Sequence, residues 1–149
     1  MSTSPLAADR LAWFNGDADA LDLYERLAYM AHAWDDLVDG DKPVNINRLM
    51  TSALLHLPAN PVYQRFRTEL SVLFFLGAAG YMAANEMERS GDAHKLEIAH
   101  YLRYTISGVG VFLIAALHGI ERAPAVIADA MPHMIPERLA NYIKEHSQP

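Results

Sequence analysis

Apolar residues recur at three- and four-residue spacing through most of the chain, and Gly, Pro, Asn and Asp punctuate the intervals between them. Ser4-Pro5 has the form of an N-cap followed by proline at the first helical position, and Asn15-Gly16 closes that short helix. Asp17 caps a second helix predicted to run to about residue 39, with Gly40 as a left-handed stop. Asn45 or Asn47 opens a third helix through "RLMTSALLHL", ended by Pro58. Asn60-Pro61 starts a fourth, running to about residue 89. Asp92 caps a fifth, running to about residue 118, with Gly119 and Pro124 beyond. Two shorter helices follow, one near residues 124–131 and one from Pro136 through "ERLANYIKEH". No segment alternates with the period-2 pattern of a strand. The expected fold is an all-α compact bundle of about five to seven helices in one domain.

The fourth and fifth helices are the long, central ones, about 27 to 30 residues and ~40–45 Å each. Small residues break up their apolar surfaces: Gly77, Gly80 and Ala84 in one, and Ser107, Gly108 and Gly110 in the other. These admit close backbone-to-backbone packing or line a ligand channel. Two such apolar helices exceed what short partners can cover, so a homodimer is expected.

Composition narrows the classes. The chain has 149 residues, 52% of them hydrophobic and 20% charged, which suits one folded core. It has no cysteine, excluding disulfides, thiolate metal sites and a cysteine nucleophile. A net charge of −6 argues against nucleic acid as a partner. The N-terminal stretch lacks the basic and apolar regions of a signal peptide. The longest apolar runs, residues 72–84 and, allowing Ser107 and the glycines, 106–117, fall short of the ~20 residues that span a bilayer and read as buried helices. The expectation is therefore a cytoplasmic protein without a membrane span.

One stretch departs from the apolar pattern. The second helix ends "AHAWDDLVDGDKPV", crowding acids at the negative end of its dipole, where they repel one another. At ~100° per residue Asp35, Asp36 and Asp39 share an arc with His32, while Trp34, Leu37 and Val38 are expected to keep the neighbouring face buried. Asp35 and Asp39 can reach one divalent cation, and Asp36 a second ion or a water. Such hard oxygen ligands select Mg²⁺, Mn²⁺ or Ca²⁺. With short turns, the end of the fourth helix returns to this level, bringing Asn85 and Glu88. The fifth helix starts there with His94 and Glu97. Acids from three helices are expected at one mouth.

"DDLVD" resembles the aspartate-rich DDxxD motif of class I isoprenoid (terpene and trans-prenyl diphosphate) synthases. That resemblance implies an all-α fold in which Asp35, Asp36 and Asp39 bind Mg²⁺ (or Mn²⁺) holding a small-molecule diphosphate. Glu88 would complete the metal set, Lys42, Arg89 and Lys95 would contact phosphate oxygens, and Glu97 would act as base if a water attacks. The family's second motif, (N/D)DxxSxxxE, has no match, and "NEMERSGDAHKLE" carries its acids at other spacings. A second resemblance is to all-α nucleoside triphosphate pyrophosphohydrolases of the MazG and dimeric dUTPase group. "DDLVD" would then be the first acidic cluster, and Asn85 with Glu88 or Glu97 the second. Glu97-x-x-His100 matches half of a ferritin-like di-iron pattern, and no second Glu-x-x-His is present. A non-catalytic helical accessory protein is the remaining alternative.

Overall fold

The computed structural model describes residues 7–147, and within them the chain is helical with no strand. The order is α1 (Ala7–Trp13), α2 (Ala18–Asp39), α3 (Ile46–Thr51), a π-type turn (Ser52–His56), α4 (Leu57–Ala59), α5 (Pro61–Arg65) and α6 (Arg67–Glu88). Then come α7 (Ala93–Arg103), a 3-10 turn (Thr105–Ser107), α8 (Gly108–His118), α9 (Ala123–Met134) and α10 (Leu139–His146). The Ser4-Pro5 start signal lies outside the described residues.

The other caps fall where the sequence places them, because each satisfies backbone groups that a helix end leaves free. Asp17 Oδ1 accepts from the Asp19 and Ala20 N–H groups, each at 3.0 Å. Asn45 Oδ1 accepts from the Arg48 N–H at 3.0 Å, and Asp92 Oδ1 from that of Lys95 at 2.8 Å. Asn60 is buried and caps Val62 and Tyr63, while its amide donates to the Asp19 carbonyl at 2.9 Å and so ties α5 to α2. Gly40 ends α2 at φ 70°, the left-handed conformation in which a side chain is strained.

Three details differ from the sequence reading. Pro58 does not end the third helix: a π-type turn, with the Leu57 N–H on the Ser52 carbonyl, carries the helical path on to Ala59. The fourth helix breaks at Phe66 (φ −113°, ψ 24°), whose ring packs edge-on to Phe112 at 5.3 Å. The fifth bends between α7 and α8, where Thr105 Oγ1 donates to the Leu102 carbonyl and Ser107 Oγ to that of Tyr104. Hydroxyls bonding back to preceding carbonyls loosen the ladder they sit in.

The α6 glycines receive that bend. A Cβ on Gly77 would stand 2.8 Å from Ile106 Cδ1, and one on Gly80 would stand 2.9 Å from the Leu102 carbonyl oxygen. A Cβ on Gly110 would stand 2.7 Å from Met134 Sδ. These small residues serve close packing. The main core gathers Phe14, Leu23, Leu70, Leu113 and Ile114, and a second apolar cluster (Ala84, Leu96, Ala99 and Tyr142) joins α6, α7 and α10.

Counting uninterrupted apolar runs understated two helices. Residues 67–88 and 93–118 are long and apolar enough, by length and composition alone, to cross a membrane. Only 28% of each apolar window is buried inside the chain, so much of that surface faces outward.

Candidate functional site: an ion cluster at the end of the bundle

The aspartates of α2 divide between two sides, and Trp34, Leu37 and Val38 between them are exposed rather than buried, because no helix among the described residues fully covers that face of the last two turns. Asp35 faces α6 and α7, where Tyr81 Oη donates to its Oδ1 at 2.9 Å and the Arg103 guanidinium binds the same oxygen. Arg103 Nη1 also donates to Glu88 Oε1 at 2.6 Å, so one guanidinium joins α2 to α6 from its place on α7. From α10, the Tyr142 hydroxyl donates to that same Glu88 oxygen, and His146 Nε2 stands 3.8 Å from Glu88 Oε2. The Trp34 and Tyr81 rings pack at 4.7 Å beside these bonds. The apolar cluster of Ala84, Leu96, Ala99 and Tyr142 forms the dry floor beneath.

The electrostatics follow from that floor. Side-chain exposure is 15% for Arg103, 14% for Glu88 and 31% for Asp35, so water screens this cluster weakly. Burial alone would lower the Arg103 pKa, but the Asp35 and Glu88 charges outweigh it and the guanidinium's pKa rises. Burial, with its bond to Asp35, pushes the Tyr81 hydroxyl up to about 12, and burial with Glu88 raises that of Tyr142. Both phenols therefore remain donors. Asp39 has its pKa raised, first by desolvation and then by the Asp35 charge, with Arg103 opposing.

Asp36 looks the other way. Its Oδ1 lies 4.0 Å from Lys42 Nζ and borders a cavity of about 240 Å³ with Tyr29, His32 and Arg48. The remaining sequence candidates stand exposed at the start of α7 or just before it. Glu97 pairs with His94 at 3.7 Å, Arg89 pairs with Glu86 at 2.5 Å, and Lys95 projects from the first turn of α7. No hydrogen bond or ion pair among the described residues links Glu97, Arg89 or Lys95 to Asp35, Asp39 or Glu88. The structure thus joins Asp35 to Glu88, with Asp39 within range of both charges. Arg103 and Tyr142 are absent from the sequence candidates, and Tyr81 reads there only as part of the apolar line, with Phe74 and Ala78, that Asn85 and Glu88 continue. A lone arginine within the otherwise uncharged stretch from residue 98 to residue 120 is the signal that could have found the first of them.

The donor set suits a hard cation. Asp35 and Glu88 each bind Arg103 through one oxygen, which leaves Asp35 Oδ2, Glu88 Oε2 and the Asp39 carboxylate as further oxygen donors. Asp35, Asp39 and Glu88 carry three negative charges against one on Arg103, leaving an excess of two. Among the described residues, no three Asp, Glu or His side chains are already grouped as a ready-made metal site. Seating an ion would require Asp39 to turn inward, a rotamer change open to its exposed side chain.

Compared with known proteins, the chain matches no family model, no curated protein and no solved structure.

Proposed function

We propose that the protein binds a divalent cation, Mg²⁺ or Mn²⁺, and with it a small-molecule diphosphate at this end of the bundle. The carrying observation is the uncompensated charge: three carboxylates from two helices against a single guanidinium, with the Asp39 pKa raised by its surroundings. In this reading Asp35, Asp39 and Glu88 hold the ion. Arg103 stays fixed between Asp35 and Glu88 and offers its remaining N–H donors to a phosphate oxygen. Lys42 and Asp36, on the other side of α2, serve phosphate and water rather than the same ion. The bound ion would neutralise and polarise the diphosphate. The resemblance of "DDLVD" to isoprenoid synthases favours a prenyl diphosphate as ligand. Glu97, Arg89 and Lys95 have no part in this arrangement.

Calorimetric titration of Mg²⁺ alone, then of geranyl diphosphate, dUTP and inorganic pyrophosphate in its presence, tests the proposal. Metal-dependent binding of the prenyl compound, lost in Asp35→Asn with Asp39→Asn, is the expected result. Selective binding of dUTP would favour the nucleotide pyrophosphohydrolase resemblance. Absence of any metal response would leave Arg103 as the counter-ion of Asp35 and Glu88 and point to an accessory role.

A further inference from the structure

The α6 helix has two unlike faces. One carries Gly77, Gly80, Tyr81 and Ala84, all buried against the neighbouring helices. The other presents Val72, Phe75, Leu76, Ala79 and Met82, an i, i+3, i+4, i+7, i+10 stripe about 15 Å long. Phe75 is 73% exposed, Val72 58%, Met82 55% and Leu76 48%. Side chains at this spacing form a core seam when something covers them.

We propose that the cover is the same stripe of a second copy, packed antiparallel about a two-fold axis at the level of residues 76 and 77. Three observations select this occupant. The four large side chains expose on the order of 400 Å², about half of the ~800 Å² that each partner gives to a standard interface. The turn of α6 on either side of the stripe, with Thr68, Ala83 and the flanking charged side chains, supplies further area. The second observation is the self-complementary charge at the ends. Arg67 flanks the start of the stripe and Glu86, which pairs with Arg89 within its own helix, stands at its end, so an antiparallel partner brings the partner's Glu86 level with Arg67 and the reverse. The third concerns the competing occupant, a lipid surface. Helices that lie on membranes flank their apolar face with Lys and Arg. Here Arg67, Glu69, Glu86 and Arg89 sum to zero on a chain of net charge −6.

The chain has no cysteine, so a single introduced thiol reports proximity without background. Sedimentation velocity should give a dimer for the wild type. Phe75→Asp with Met82→Asp should raise the dissociation constant by about thirtyfold or more, the loss expected at a central apolar contact, with unchanged circular dichroism. Leu76→Cys should cross-link to itself under mild oxidation, while Ala125→Cys on α9 should not. Arg67→Glu and Glu86→Arg should each weaken association and together restore it. A wild-type monomer at all concentrations, or a dimer untouched by the two aspartates, would overturn the proposal. So would a monomer that co-floats with phosphatidylcholine vesicles, which would assign the stripe to lipid.

Discussion

Replacing Arg103 with methionine isolates the ion cluster, because methionine keeps much of the aliphatic stem while deleting the guanidinium, whose carbon lies 5.7 Å from the Tyr81 ring centroid. Two carboxylates then lose their counter-charge. Removing one partner from a buried ion pair costs ~3–5 kcal/mol. Glu88, with 14% side-chain exposure, incurs most of such a cost, whereas Asp35, near a third exposed, is better screened. Tyr142 and Tyr81 still donate to the two carboxylates and offset part of the loss. The balance is a destabilisation of about 3 kcal/mol at pH 7, or ~6–12 °C in Tm for a chain of this length. Urea midpoints for wild type and variant at pH 7, both in chelator, measure the effect. A loss below about 1 kcal/mol would show that water already solvates these carboxylates.

Other outcomes follow from the same geometry. In chelator, Asp39→Asn should leave stability unchanged or raise it by a few tenths of a kcal/mol, up to about 1, because the aspartate opposes the negative end of the α2 dipole. The folded-state pKa of Asp39 lies above its ordinary 3.8, so its contribution is full below that value and is lost as pH rises through the folded pKa. The Asn variant should lack this decline, and thermal melts from pH 3 to 7 would reveal it. Tyr142→Phe removes a buried donor to a charged acceptor and should cost about 1.5–3 kcal/mol by urea titration. Gly80→Ala should destabilise by about 1–3 kcal/mol despite alanine's better helix propensity, since its methyl meets a backbone carbonyl. Gly77→Ala should also destabilise, because its methyl would stand 3.2 Å from the Ile106 Cα and Cβ as well as against the flexible Cδ1.

The helix starts were legible because each rests on a local bond. Asp17, Asn45, Asn60 and Asp92 cap the turns that follow them, and no distant residue is needed to place them. The breaks at Phe66 and Tyr104 were not, because they answer to tertiary contacts. Phe66 leaves helical geometry where its ring meets Phe112, and the Thr105–Ser107 turn fits against two glycines about thirty residues earlier. The ion cluster divides in the same way. Asp35 and Glu88 were legible as acids on two helices ending at one level. Their cation was not, since Arg103 lies 68 residues from Asp35 and 15 from Glu88. Exposed acids beside the α7 start, Glu97 among them, read the same in one dimension as the one that is buried.

That separation has a consequence during synthesis. The acidic end of α2 leaves the ribosome well before its guanidinium partner exists. At ordinary elongation rates the 68-residue interval between Asp35 and Arg103 lasts ~3–14 s. Tyr142 follows 39 residues after Arg103, so the acidic helix end stays unsealed until α10 has emerged as well as α7. It is α10, not the helix that carries the guanidinium, that closes the apolar floor under Glu88.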